Sequence, residues 1–445
     1  MQLTNKQKLV VKDHDLGYKI ALASAALLGS TIPQAQAEVL GWDVSTSFLG
    51  YSEQNRVSAG EFIGTASKKY HQTALFDIKV VADVLTGASA NGAVAQKFAQ
   101  TFTNPSGRGF YTTRSSKTPL DKSFKDFRGA LSLNWSDAIT DVSNYNIGSN
   151  ISIEYDYLAF SVNGEYSHDF FQKNSTVSLG VSLGTNQIKP VGDLPIAFSS
   201  MFIDGVNRGE DGNLPQGFRD TRNGNSDNNT DAEILLGFTQ IINRRMLMQF
   251  NYGHSESNGY LTDPYKILSV LDSNGVTQDY LYENRPRSRT KDSFYVMTKY
   301  HLDNSIVDFS YRYMTDSWNI TSSTFDLHWH FLRGNNSFWE PHIRYYTQNA
   351  ADFFTPYLDQ SATVPGFASA DYRLGNLDTF TVGLKYGFMM NQNHRAEIRL
   401  EYYKQQAKNQ SLVDSMVATS QSSGLSGLNL FPDVSAVVLQ FSYYL

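Results

Sequence analysis

The sequence predicts an all-β fold, namely a transmembrane antiparallel up-and-down β-barrel of about 16 strands, with fourteen as the alternative count. Three observations predict this fold. Segments of about ten residues alternate apolar and polar side chains with the two-residue period of a strand. Short and long connections between the segments fall on alternate ends. The last segment, 435–445, is typical of a closing strand that faces lipid, because its apolar side chains share one face.

The composition agrees with this fold class. The 445 residues include 26 Tyr, 28 Phe and no Cys, so an exported disulfide scaffold is excluded. After residue 37, no apolar run approaches the roughly 20 residues that a membrane helix needs. The net charge of −6 argues against nucleic acid as a partner.

The first 37 residues have the pattern of a cleaved signal peptide. A leader with four lysines precedes an apolar core at 20–28, and Ala35-Gln36-Ala37 forms a small-x-small cleavage site. We therefore expect export across the inner membrane of a Gram-negative bacterium. The mature chain, residues 38–445, is predicted to be a single outer-membrane barrel domain.

The predicted strands follow one another along this domain. The segment 395–403 is the clearest, because charged residues alternate strictly with apolar ones. The segment 56–66 is the least regular, because Gly60, Glu61 and Gly64 interrupt its pattern. In chain order, the predicted strands lie at about 43–53, 56–66, 69–84, 131–135, 151–155, 158–166, 177–183, 234–238, 246–252, 294–300, 307–313, 325–331, 379–389, 395–403 and 435–445.

The connections differ in length at the two ends of the predicted barrel. Outer-membrane barrels have short periplasmic turns and long extracellular loops, so we assign the two sets to those two sides. The short set lies at about 136–144, 169–174, 242–244, 302–304, 333–337 and 391–393, and the long set at about 86–123, 187–229, 256–289, 350–375 and 407–433. We predict that only the connections near 156 and 316 are short on the long-loop side.

Strand alternation also predicts which side chains face the lumen. A Lys or Arg at mid-membrane on the lipid side costs about 2–4 kcal/mol, so the charged face of each strand must turn inward. Such a face would line a hydrated pore, brace the wall through cross-strand pairs, or do both. The predicted lumen residues are Lys299, Asp308, Arg312, Asp326, Glu340, Arg344, Lys385, Arg395, Glu397, Arg399 and Glu401. The predicted lipid-facing residues include Phe380, Val382, Leu384, Tyr386, Ile398, Leu400, Leu439 and Phe441.

Three histidines form the sharpest local cluster. His328 and His330 share the polar face of one strand, and the next strand presents Glu340 and His342 on the same side. Three imidazoles and a carboxylate suit Zn²⁺ or Cu²⁺. The alternative is a polar barrel mouth without a metal, and no other cofactor is expected.

Two loop segments allow a functional and a plain interpretation. The segment 204–231 is dense in Asp, Asn and Gly, including Asn223, Asn225, Asp227 and Asp231, and could hold Ca²⁺. Its spacing departs from the EF-hand pattern, which favours a solvated turn. The basic residues Arg285, Arg287, Arg289 and Lys291 either constrict the lumen or pair with the phosphates of lipopolysaccharide, which we favour.

Several motifs resemble an uncharacterised family of Gram-negative outer-membrane barrels that is known as a domain of unknown function. The resemblance spans nearly the whole mature chain, and it implies a barrel in the outer membrane without implying an activity. The motifs are DVLTGASANG at 83–92, PLDKSFKD at 119–126, YLTDPYK at 260–266, ENRPRSR at 283–289, YRY at 311–313 with DSW at 316–318, EP at 340–341, RYY at 344–346 and ADFF at 351–354.

These patterns support three hypotheses of function. The first is a porin-like channel or transporter for a small solute, and the second is a surface interaction or assembly protein anchored by its barrel. An outer-membrane enzyme is the third, and we do not expect it because the sequence contains no recognisable catalytic motif. The expected partners are membrane lipid, lipopolysaccharide and the barrel assembly machinery, which would read Phe441, Tyr443 and Leu445.

Overall fold

The computed structural model describes residues 41–203, 214–334, 336–391, 393–408, 425, 428, 430–431 and 433–445. The predicted signal peptide, residues 1–37, lies outside the described residues. Among the helices of the described part, none has the length and apolar character needed to cross a membrane.

The described residues form 21 strands in chain order. The first eleven are β1 Asp43–Glu53, β2 Val57–Lys69, β3 Leu75–Ala90, β4 Gln100–Thr103, β5 Phe110–Thr113, β6 Leu120–Thr140, β7 Ser143–Ile153, β8 Tyr157–Phe170, β9 Ser175–Ile188, β10 Asp227–Asn243 and β11 Met246–Gly259. The remaining ten are β12 Ile267–Leu271, β13 Thr277–Tyr282, β14 Ser288–His301, β15 Ser305–Asp316, β16 Thr321–Arg333, β17 Ser337–Gln348, β18 Leu358–Asp359, β19 Leu377–Met389, β20 Arg395–Ala407 and β21 Val434–Tyr444. A one-turn helix, Gln216–Arg219 (α1), and a 3₁₀ turn, Tyr372–Leu374, complete the elements.

Sixteen of these strands close into one antiparallel barrel. Every barrel strand pairs with the next in the order β1-β2-β3-β6-β7-β8-β9-β10-β11-β14-β15-β16-β17-β19-β20-β21. The last strand pairs back onto the first, from Ser45 opposite Tyr444 to Glu53 opposite Ala436. Closure leaves no unpaired edge, which a membrane-spanning sheet requires. The prediction of about sixteen strands is confirmed, and the alternative of fourteen is wrong.

Alternation along each strand separates an apolar outer face from a polar inner face. On β19 and β20, Phe380, Leu384, Ile398 and Leu400 are all more than 40% exposed on the outside. Their sequence neighbours, including Lys385, point the other way into ion pairs. Such an apolar outer belt is what hydrocarbon selects.

The connections separate by length as predicted, except that the connection between β1 and β2, residues 54–56, is a third short one on the long-loop end. All long connections leave one end of the barrel, and the other end carries only short turns. Several strand bounds differ from the predicted ones, and β6, predicted at 131–135, spans Leu120–Thr140. The second strand continues to Lys69 and the third begins at Leu75, because the first sheet register extends past the glycines of β2. The strand predicted at 151–155 is Ser143–Ile153, and β6 extends to Thr140, so the short turn predicted at 136–144 covers only residues 141–142.

The long connections fold together into a structure that we call the cap. It comprises residues 91–119, 189–203, 214–226, 260–287 and 349–376 of the described chain. The cap holds a three-stranded sheet, β13-β12-β18, and a two-stranded sheet, β4-β5. Segments from distant strands bond across the mouth, for example the Ile267 amide to the Asn91 carbonyl at 2.9 Å. The cap also has apolar cores of its own, in which Phe102 and Leu268 are fully buried.

Candidate functional site

The charged inner wall of β16, β17, β19 and β20 carries the densest group of polar side chains with candidate chemistry. The antiparallel register brings these side chains together. It places His328 opposite His342, Asp326 opposite Arg344 and Glu340 opposite Lys385. All six positions belong to the face that alternation turns inward. The sequence therefore brings together side chains that lie on different strands.

Asp326, His328 and His342 lie closest together. The two imidazole rings stack with centroids 4.1 Å apart and planes 9° apart. His328 Nε2 lies 2.9 Å from Asp326 Oδ1, and His342 Nε2 lies 3.4 Å from Asp326 Oδ2. Asp326 and His342 are buried, while His328 is half-buried. One ligand atom from each residue lies within 4.8 Å of the others. We call these three residues the wall triad.

Two glutamates hold the far side of the triad histidines. His328 Nδ1 lies 3.2 Å from Glu340 Oε1, and His342 Nδ1 lies 2.9 Å from Glu401 Oε1. Glu340 Oε1 also forms an ion pair with Lys385 Nζ at 2.9 Å. Each imidazole is therefore fixed at both nitrogens, so its orientation is set by the wall itself.

The metal ligands predicted from the sequence are only partly brought together. His328 and His342 meet, but His330 Nδ1 lies 3.1 Å from Glu340 Oε2 and its ring packs on Phe338. Glu340 bridges His328 and His330 instead of joining the group that could share an ion. Asp326, which we predicted only as a lumen charge, takes that place. The sequence could have indicated it, because Asp326 shares the alternating face of His328.

A cavity of about 240 Å³ lies beside the wall triad inside the barrel. Its lining includes His328, His342, Lys385, Arg399 and Glu401, together with hydroxyl groups from β1 and β21. Positively and negatively charged side chains therefore surround the same cavity.

The other predicted lumen charges lie on the inner face of β14, β15, β17 and β20, mostly in pairs. Lys299 Nζ lies 3.3 Å from Asp308 Oδ2, and Arg395 Nη2 lies 3.1 Å from Glu397 Oε1. Arg399 Nη1 is 3.6 Å from Glu401 Oε1. Arg344 forms a short contact with Asp326, and the Arg312 guanidinium lies over the ring of Tyr295 at 5.5 Å.

A second polar cluster, which the sequence reasoning missed, lies inside the cap. Arg285 Nε lies 2.6 Å from Glu283 Oε1 and Arg285 Nη2 lies 3.1 Å from Asp371 Oδ2. Arg373 adds contacts to Asp371 and to Asp263, the latter at 3.0 Å. Glu283 and Asp371 are each 1% exposed, and Arg285 is 4% exposed. We call these five residues the cap network.

Burial and neighbouring charges set the protonation of the cap network. Complete burial raises the pKa of Glu283, although Arg285 works against this. Burial also acts to raise the pKa of Asp371, but Arg373, Lys266 and Arg285 outweigh it and hold that pKa well below its usual range. Asp371 is therefore the charged anchor of the network.

The cap also contacts a short connection of the barrel, the turn between β7 and β8. Tyr265 donates a hydrogen bond of 2.5 Å to Asp156 Oδ2 in the turn between β7 and β8. Burial raises the pKa of Asp156 to about 7 and that of the neighbouring Glu154 to about 8. Nearby carboxylates, among them Asp126, add to both shifts. This contact therefore depends on acids that titrate near neutral pH.

The cap network could have been found from the motifs that carried the family resemblance. YLTDPYK supplies Asp263 and Tyr265, and ENRPRSR supplies Glu283 and Arg285. These residues looked like loop sequence because their partners lie far along the chain. Arg285 lies inside this network, and the pairing of this loop's other basic residues with lipopolysaccharide stays a prediction. Arg287 and Arg289 also have partners in the chain, Asp227 and Asp316.

The Asp- and Asn-rich segment contributes to strand pairing. Asp231 accepts hydrogen bonds from Asn186 at 2.7 Å and Ser257 at 2.6 Å, and Asp227 pairs with Arg287. Asn225 accepts a hydrogen bond from the neighbouring Ser226, and Asn223 donates its amide to the Leu194 carbonyl. Residues 204–213 of the proposed Ca²⁺ loop lie outside the described residues.

The three residues predicted as an assembly signal lie at the short-turn end. Phe441 is exposed on the outer face, where its apolar neighbours on β20 continue the belt. The Tyr443 hydroxyl lies 2.6 Å from His394 Nδ1, and the Leu445 amide donates to the Val44 carbonyl.

Comparison with known proteins gives a family for the chain. The model of the family described as protein of unknown function DUF3570 matches residues 18–445. The chain therefore belongs to this family, and the resemblance seen in the motifs is confirmed. No curated protein matches the chain.

Solved structures give more distant matches. The siderophore receptor PirA of Pseudomonas aeruginosa is 7% identical with a TM-score of 0.38, over 84% of this chain and 57% of the receptor. The ferric enterobactin receptor PfeA of the same organism is 8% identical with a TM-score of 0.41, over 84% and 55%. The chain thus spans little more than half the length of these receptors. A loop-deletion variant of OmpT, an outer membrane protein of Vibrio cholerae, is 8% identical with a TM-score of 0.39, over 91% and 98%.

Proposed function

We propose that this DUF3570 member is an outer-membrane channel or transporter for a small polar solute, and that its cap controls entry. The observation that carries the proposal is the inner wall of β16 to β20, where charges of both signs surround a cavity of about 240 Å³. An interior with charged walls favours passage of a hydrated polar solute over an apolar one.

The closed barrel supports an outer-membrane location. Every barrel strand is hydrogen-bonded to two neighbours, so the sheet has no open edge in hydrocarbon. The outer face is apolar at the level where the inner face is charged. Short turns at one end and long loops at the other fit the periplasmic and extracellular sides of such barrels. Membrane lipid around the belt, lipopolysaccharide around the cap and the barrel assembly machinery remain the partners that we propose.

The width of the barrel supports passage of a solute. Barrels of sixteen strands are wide enough for an aqueous channel, whereas eight-stranded barrels are filled by their own side chains. Ion pairs such as Lys385–Glu340 hold the wall charges in place, so the lumen keeps a fixed electrostatic pattern. We propose no catalytic role for these charges.

The cap supports control of entry from the long-loop end. Its segments come from strands on opposite sides of the mouth and bond directly, as in the contact of the Val94 amide with Ser269 Oγ at 3.0 Å. The buried cap network then holds loop 260–287 against loop 349–376. A solute that enters here must displace part of the cap, so the resting conductance should be low.

Planar-bilayer recording tests this proposal. The wild-type chain should give small or infrequent conductance steps, and Arg285→Ala should increase their size or frequency because it breaks the cap network. Arg287→Ala is the matched control, since Arg287 is exposed and its loss should leave the conductance unchanged. If neither the wild type nor Arg285→Ala conducts at any potential, the channel proposal is wrong.

The second candidate is a surface interaction protein that its barrel only anchors. The apolar cores of the cap favour it, because Phe102 and Leu268 are fully buried and so make the loops a folded unit. Replacing residues 260–287 by a short turn should then abolish partner binding to cells. An increase in solute uptake by the same variant would instead favour the channel.

A further inference from the structure

We propose that the wall triad of Asp326, His328 and His342 binds one divalent transition-metal ion, such as Zn²⁺, at the edge of the lumen. This site does not depend on the function proposed above. It would give the barrel wall a metal centre in contact with the solution inside the barrel.

The spacing of the ligand atoms fits such an ion. Metal bonds of about 2.0–2.2 Å to imidazole nitrogen and carboxylate oxygen place neighbouring ligands about 3 Å apart. The two Nε2–Oδ distances of the triad are 2.9 and 3.4 Å. An ion between these atoms therefore needs side-chain adjustments and no rearrangement of the strands.

The surroundings of the two histidines fit metal binding as well. Ligating histidines in proteins use their second ring nitrogen to donate to a carboxylate or carbonyl, which fixes the tautomer and directs the free lone pair at the metal. Here Glu340 lies at Nδ1 of His328 and Glu401 lies at Nδ1 of His342. Both Nε2 atoms are thereby turned towards the same carboxylate.

The ligand types and the open side of the triad indicate the class of ion. Two imidazoles with one carboxylate suit Zn²⁺, Cu²⁺ and Ni²⁺ and do not suit Mg²⁺ or Ca²⁺, which prefer oxygen ligands. Three protein ligands leave at least one coordination position for water or a solute. His328 and His342 line the cavity from which that ligand would come.

Arg344 limits the affinity. Its guanidinium contacts Asp326 Oδ2, so the ion must share this carboxylate or bind through Oδ1, which His328 approaches. Lys385 neutralises Glu340 and leaves that glutamate as a partner of His328. The site therefore has a defined set of ligands in spite of the surrounding cations.

His330 provides a matched control. It lies on the same strand and the same inner face as His328, and it also contacts Glu340, but it is not part of the triad. His328→Ala and His330→Ala each remove one imidazole from the wall. Differences in Zn²⁺ affinity between the two variants therefore report the triad and not a general loss of histidine.

The experiment uses the full chain refolded in detergent and stripped with a chelator. Calorimetric titration with ZnCl₂ should show one ion per chain, and His328→Ala or Asp326→Asn should weaken binding at least tenfold. His330→Ala should bind like the wild type. With Co²⁺ as the probe, the wild type and His330→Ala should show a visible d–d spectrum that His328→Ala lacks.

Two results would overturn the proposal. One is a wild-type chain that binds no Zn²⁺ and shows no Co²⁺ spectrum. The other is an equal loss of affinity in His328→Ala and His330→Ala. A shift in gel migration on heating identifies the folded chains, and Asp326→Asn gives a second test of the triad where His328→Ala does not fold.

Discussion

Each residue of a barrel strand faces either the apolar surroundings or the polar interior, so the effect of a substitution depends on the parity of its position. Leu400 and Arg399 are neighbours on β20 with opposite environments. Leu400 is 55% exposed on the outer belt, whereas Arg399 lines the cavity and lies 3.6 Å from Glu401. A charge is tolerated at one of these positions and penalised at the other.

Leu400→Arg should destabilise the barrel or prevent its assembly, because an Arg on the lipid face costs about 2–4 kcal/mol. Urea unfolding in lipid vesicles, followed by tryptophan fluorescence, measures this change. Arg399→Ala is the control and should leave the free energy of unfolding nearly unchanged. Equal destabilisation by both substitutions would contradict the assigned orientation of β20.

Arg285→Ala should loosen the cap much more than a surface substitution does. It leaves Glu283 and Asp371 buried without their shared cation, and breaking a buried ion pair in this way costs about 3–5 kcal/mol. Hydrogen exchange should rise at 260–287 and 349–376 and stay slow in the barrel strands. Arg287→Ala should change exchange little, because its exposed pair with Asp227 is worth at most about 1 kcal/mol.

At the scale of elements, the barrel strands and the cap strands are stabilised differently. Barrel strands pair over ten or more residues with a neighbour in sequence, as β19 does with β20. The cap strand β12 has only five residues and meets β13, β18 and the loop after β3. Its position therefore depends on close backbone contacts between loops.

Gly92→Ala should displace the loop after β3 from β12. A Cβ at this position would lie 2.4 Å from the Ile267 carbonyl oxygen, and the φ of +98° disfavours any side chain. Limited proteolysis should cut the cap faster than in the wild type. Gly60→Ala is the control, since a Cβ there meets nothing within 4 Å and should leave the cap intact. Unchanged proteolysis of Gly92→Ala would argue against this contact.

At the scale of the whole molecule, the barrel is a closed frame and the cap packs on its long-loop end, where Tyr372 shares an apolar core with Leu377 and Val434 of the barrel. The two also meet where Tyr265 contacts Asp156 in the turn between β7 and β8. Because the cap network is internal to the cap, the frame can persist when the cap loosens. Conductance and cap stability should therefore change together under conditions that leave the strands paired.

The cap should loosen as the pH rises from about 4 to 8. Asp156 and Glu154 have pKa values of about 7 and about 8 in the fold, raised by burial. A raised pKa means that the native state binds more protons, so the stability that these groups contribute is complete below their ordinary pKa and is lost as the pH passes 7 to 8. Hydrogen exchange in 260–287 should therefore increase relative to a barrel strand after correction for the intrinsic rate. Glu154→Gln with Asp156→Asn should reduce this increase, and Glu283, whose pKa burial also raises, accounts for the slope that remains. A slope unchanged in the double variant would refute the assignment.

The sequence by itself determined the barrel. A strand exposes its side chains alternately, so a two-residue period of apolar and charged residues is enough to assign β19 and β20 their two faces and to turn Lys385 and Glu401 inward. The lengths of the connections then determined which end carries the loops. Both signals are local, so both can be read from the sequence without knowing which residues meet in the fold.

Only the tertiary structure decided the two polar clusters. Which histidine meets which carboxylate depends on the register of the four neighbouring strands β16, β17, β19 and β20, so Asp326 and Glu401 joined His342 while His330 did not. In the cap, Arg373 contacts Asp263 across 110 positions of sequence. A buried charge costs free energy unless an opposite charge lies beside it, and the fold brings that partner from a distant part of the chain. No local sequence pattern predicts which residue the partner is.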